Sequence, residues 1–76
     1  MDFFKLLNDI KTYGLITPNN NRLVINFSKS LFDHVSSLHG VGSSELYSYL
    51  LRNRHYISSG LGYSAYDFVF FTISDS

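Results

Sequence analysis

The triplet Gly40-Val41-Gly42 lies between two stretches whose apolar residues recur at helical spacing, so two helices must meet there across a tight turn. Before it, Ser28 or Ser30 caps a helix that carries Leu31, Phe32, Val35 and Leu38 inward and Lys29, Asp33 and Ser37 outward. After it, Ser43 caps a helix running to about Asn53. A wheel centred on Leu46, Tyr49, Leu50 and Asn53 leaves Ser44, Ser48 and Arg52 at four-residue spacing on the opposite face. That polar face is the most informative surface in the sequence.

The flanks fill in the rest. Asp2 caps a first helix with Phe3, Leu6, Leu7, Ile10 and Tyr13 inward and Lys5, Asp9 and Lys11 on the wet side, ended by Gly14. Thr17-Pro18-Asn19-Asn20-Asn21 is rich in turn formers and reads as a loop. Arg22–Phe27, β-branched at its centre, reads as one short strand. The tail suits two strands, His55–Ser59 and Asp67–Ser74, joined through Gly60-Leu61-Gly62-Tyr63-Ser64. The last strand is apolar on both faces, with Phe68, Phe70 and Thr72 on one and Val69, Phe71 and Ile73 on the other. Either the first helix covers its second face or another chain does, which makes a homodimer seam a candidate. Asp67 and Asp75 flank the run as guards against edge-to-edge association.

Composition narrows the options. At 76 residues the chain is expected to form one domain, residues 1–76, and with no Cys its small core has neither a disulfide nor a thiolate metal site to lean on. Phe and Tyr make up 17% of the residues, which supplies large side chains for that core. The longest apolar run, Phe68–Phe71, is far below the roughly 20 residues of a spanning helix. The N-terminus has no secretory pattern, so a cytoplasmic address is expected and no membrane partner.

The order helix, strand, helix, tight turn, helix, strand, loop, strand resembles a winged helix-turn-helix domain. The match centres on Leu38–Leu50: Gly40 where the turn needs a left-handed residue, Val41 beneath it, Leu46 and Tyr49 pinning the second helix, and Ser36 as the small residue of close approach. His39 stands where the family carries an apolar residue. The resemblance implies an α+β fold of three helices with a short two- or three-stranded antiparallel sheet. It also implies a DNA-binding regulator whose third helix enters the major groove. The nucleic-acid-contacting set would be Lys29, Ser30, Ser43, Ser44, Tyr47, Ser48, Arg52, Arg54, His55 and Tyr63, with Tyr63 near the tip of the wing.

Charge sets a competing expectation. Six Lys plus Arg against six Asp plus Glu give no bulk attraction to phosphate. The cations cluster, though: Arg52, Arg54 and His55 are close in sequence, and no acid lies between Glu45 and Asp67. Leu51, Leu61 and Tyr63 would suit a protein partner, so a stand-alone interaction module or an inhibitor of a larger machine is the alternative to DNA binding. Enzyme readings are weak. Gly60-Leu61-Gly62-Tyr63-Ser64-Ala65 fits a loose dinucleotide pattern but has no βαβ unit around it. His34 and His39, five apart, do not share a helical face. No catalytic residue, metal or cofactor is expected.

Overall fold

Residues 1–75 are described by a computed structural model in the order α1 (Phe3–Tyr13), β1 (Leu15–Asn19), β2 (Arg22–Ser28), α2 (Lys29–Leu38), α3 (Ser43–Arg52), α4 (Arg54–Gly60) and β3 (Phe68–Ser74). The fold is α+β. Its three strands lie in the order β1-β2-β3, with β1 antiparallel and β3 parallel to the central β2. Four helices and a mixed sheet thus replace the three helices and antiparallel sheet expected from the sequence. No described helix is long and apolar enough to cross a membrane.

Two segments account for the difference. The expected loop at Thr17–Asn21 is half strand: Leu15–Asn19 pairs with Arg22–Asn26 through a two-residue turn at Asn20-Asn21, with Asn20 at φ +54°. Pro18 is tolerated because β1 is an edge strand that does not need its N–H. The expected strand at His55–Ser59 is α4, a helix that puts Ile57 and Leu61 four residues apart on one buried face. The chain therefore enters β3 from a coil. It makes no hairpin after α3, and β3 finds its partner in β2.

The sheet is covered on one face only. Leu23, Ile25 and Phe27 of β2 and Val69 and Phe71 of β3 point into a core closed by Leu6, Leu7 and Ile10 of α1, Phe32 and Val35 of α2, Leu46 and Leu50 of α3, and Ile57 and Leu61. The other face carries Val24, Asn26, Phe68, Phe70 and Thr72, and Asn26 Nδ2 donates to Thr72 Oγ1 at 2.7 Å. Neither α1 nor any other described helix covers it, and Phe68 remains 51% and Phe70 45% exposed.

The helix ends follow local chemistry. Asp2 caps α1, accepting from the Lys5 N–H, and Ser28 rather than Ser30 caps α2, accepting from the Leu31 N–H. Ser43 caps nothing: Gly42 holds the N-cap of α3 without a side-chain bond. Gly40 sits at φ +67°, the left-handed residue the turn requires. Ser36 is buried, and its hydroxyl donates back to the Phe32 and Asp33 carbonyls of its own helix. Leu31 and Leu38, expected inward, are partly exposed, whereas Asp9, expected on the wet side, is buried.

Candidate functional site

The buried Asp9 explains the odd residue of the turn. His39 Nε2 lies 2.7 Å from Asp9 Oδ2, and the imidazole side chain is only 3% exposed. His39, at a position where an apolar residue is expected, thus pairs with a carboxylate supplied by α1. The pair ties α1 to the end of α2, and both polar groups are satisfied.

A different region gathers exposed functional groups. α3 and α4 stand beside β3, and between them runs an open cleft of about 370 Å³. Tyr47 and Leu51 of α3, Arg54 and His55 of α4, and Asp67 with Phe68–Phe71 line it. A second hollow adjoins it, sharing Leu51, Arg54 and His55 and adding Arg52. The Tyr47 hydroxyl crosses to β3 and donates to the Phe71 carbonyl at 3.2 Å. Arg54 makes a long bond, 3.5 Å, to the Leu51 carbonyl. Arg52 and Arg54 have no carboxylate partner among the described residues, so their charges face outward.

The residues expected from the sequence divide between this region and the rest. Tyr47, Arg52, Arg54 and His55 line the two hollows together with Leu51. Ser43, Ser44 and Ser48 are exposed on α3, and Ser44, Ser48 and Arg52 do form an outward stripe. Lys29 and Ser30 lie at the start of α2 and line neither hollow; the Lys29 ammonium is 3.3 Å from Asp33 in an i,i+4 pair. Tyr63 is half-buried and packs edge-to-face on Tyr66, with ring centroids 5.7 Å apart. It occupies the coil between α4 and β3 instead of a hairpin tip. Leu61, expected as a contact for a protein partner, is 8% exposed and belongs to the core. Its N–H donates to the Ile57 carbonyl one helical turn earlier, and both side chains join the core.

Phe68, Phe70 and Asp67 were not among the expected site residues, although the sequence carried a signal for them. A strand apolar on both faces in a small sheet leaves one apolar face unaccounted for.

No family model, curated protein or solved structure matches the chain.

Proposed function

We propose that the protein is a binding module that engages another protein through the face built by α3, α4 and β3. The supporting observation is the composition of the cleft. Two half-exposed phenylalanines, Leu51 and Tyr47 line it together with Arg54, and none of the described lining residues is Lys or Glu. Aromatic residues and Arg are enriched in protein interfaces, while Lys and Glu are depleted from them. Desolvating such a patch gains apolar burial at about 25 cal/mol per Å², and it strands only one acid, Asp67. No partner would need to find a deep pocket, since an open cleft suits a surface better than a small molecule.

The test is affinity capture from a nuclease-treated cell extract. Wild-type protein should retain a partner, and Leu51→Asp and Phe70→Glu should each lose it while still unfolding in one cooperative transition, at a lower temperature for Leu51→Asp because that side chain packs partly against the core. A partner retained by both variants overturns the reading, and so does an empty capture.

One observation favours a second reading, a regulator that binds duplex DNA through the helix-turn-helix-like pair α2–α3. The stripe Ser44, Ser48 and Arg52 is exposed at four-residue spacing, and Arg52 and Arg54 are not neutralised by an ion pair among the described residues. Hydroxyls contact phosphate or base edges without strong sequence preference, and the arginines would hold the backbone. Mixed-sequence duplex should then shift the protein at low salt, with affinity falling steeply as salt rises, and Arg52→Glu should abolish the shift. Binding that ignores salt counts against this reading.

A further inference from the structure

The two edges of the sheet are unequal. β1 has five residues and contains Pro18, which has no N–H to offer a further strand. β3 has seven, Phe68–Ser74, with neither Pro nor Lys to block its edge. Its pairing with β2 uses alternate residues. The Phe68 N–H donates to the Asn21 carbonyl at 3.1 Å, so Phe68, Phe70 and Thr72 turn their backbone groups toward β2. Val69, Phe71 and Ile73 turn theirs away.

Two facts place the outward groups in the 370 Å³ cleft. Four consecutive residues of β3, Phe68–Phe71, line it. Side chains of a strand alternate between faces, so a hollow that touches four in a row runs along the backbone edge. The Tyr47 hydroxyl also reaches the Phe71 carbonyl from the α3 wall, which locates that carbonyl on the free edge.

From this geometry we infer that the cleft receives an extended acidic segment of a partner protein, added to β3 as a fourth strand. The inference rests on the protein-binding reading and names the chemistry of the partner. A strand laid on this edge bonds to the Val69 backbone and the Phe71 N–H, sharing the Phe71 carbonyl with the Tyr47 hydroxyl, and presents its side chains alternately to the two faces of the sheet. One set lies beside Phe68 and Phe70 and is apolar. The other set faces the wall made by Leu51, Arg54 and His55, continued by Arg52, and is acidic because those arginines carry no carboxylate of their own among the described residues. Asp67 sits where β3 begins and directs the acids of the segment away from itself, toward Arg54.

A second copy of the chain fits less well. The run Phe68–Ser74 contains no acid to meet Arg54, and antiparallel pairing centred on Phe71 sets each Asp67 opposite an Asp75.

The experiment is amide hydrogen exchange read by NMR on the full chain, with three probes: two short capped peptides, one alternating Val and Glu and one alternating Val and Lys, and an oligothymidylate. The Val/Glu peptide should slow exchange at the Val69 and Phe71 amides by about tenfold or more, and the Val/Lys peptide should not. Arg54→Glu, a change at an exposed side chain, should weaken the Val/Glu peptide by about tenfold and favour the Val/Lys one. Unchanged exchange at Val69 and Phe71 with saturating Val/Glu peptide overturns the inference, as does equal slowing by both peptides. Slowing that grows with protein concentration alone assigns the edge to a second copy. Slowing produced only by oligothymidylate assigns it to nucleic acid. If captured partner is lost on Leu51→Asp while these two amides still exchange freely in its complex, strand addition falls and the protein-binding reading stands. If nothing is captured and neither peptide binds, both fall.

Discussion

His39 and Asp9 show how a single polar pair can stand in for apolar packing. Replacing His39 by Leu leaves the Asp9 carboxylate buried without its partner. The expected cost is about 1–3 kcal/mol, measured as a drop in the urea midpoint at constant slope. The double variant Asp9→Leu/His39→Leu should recover much of that loss, because removing both partners leaves nothing unsatisfied. Gly14 has a different constraint. Its φ is −89°, so left-handed backbone is not the reason for glycine there. An added Cβ would lie 2.8 Å from the Ile10 carbonyl oxygen and 3.1 Å from Cζ of the buried Phe27 ring. Gly14→Ala should therefore destabilise by about 1–3 kcal/mol through crowding, visible in the same unfolding curve.

At the scale of elements, β2 carries the fold. Among the described residues it is the only strand with neighbours on both sides, and its Leu23, Ile25 and Phe27 are at most 1% exposed. Phe27 meets Phe32 of α2 edge-to-face with centroids 5.5 Å apart, and Phe32 continues to Tyr47 of α3 at 6.4 Å. One aromatic chain thus links the sheet to the two helices beside the turn. Phe27→Ala should cost about 3–5 kcal/mol, a large part of the roughly 5–15 kcal/mol that stabilises a whole domain, and thermal melting will show it. β3 is held more lightly on its outer side. Tyr47→Phe removes only the hydroxyl bond to Phe71, so it should cost about 0.5–1.5 kcal/mol and raise exchange at the neighbouring edge amides.

For the whole molecule, the decisive fact is that four helices cover one side of a three-stranded sheet and leave the other side open. Phe68 and Phe70 stay half exposed there, and Leu15 on the opposite edge strand is 65% exposed. Replacing both phenylalanines by Ser should cost about 1–3 kcal/mol, less than truncating two core rings because each is already half exposed, and should lower the binding of an apolar dye and any self-association. Equal dye binding by the double variant would show that the open face is not the apolar surface the protein presents. The same openness gives α3 and α4 their setting. Both pack at the β3 side of the sheet, where Arg54 and His55 line the same cleft as Phe68 and Phe70.

What the sequence determined by itself is local. The α1, α2 and α3 helices, the Gly40 turn and the β2 and β3 strands follow from spacing, capping and turn residues, because those signals act within a few residues. The tertiary structure decided what depends on partners. Pro18 and the Asn run read as a loop until β2 supplies an edge to pair with, and His55–Ser59 reads as a strand until a core exists for Ile57 and Leu61 to share. Whether β3 joins β2 in parallel or closes a hairpin is a choice among distant segments, and local periodicity is the same for both. The cleft follows from that choice. Tyr47, Arg52, Arg54 and His55 could be singled out in advance as a cluster of chemistry, but only the parallel placement of β3 set Phe68, Phe70 and a free backbone edge beside them.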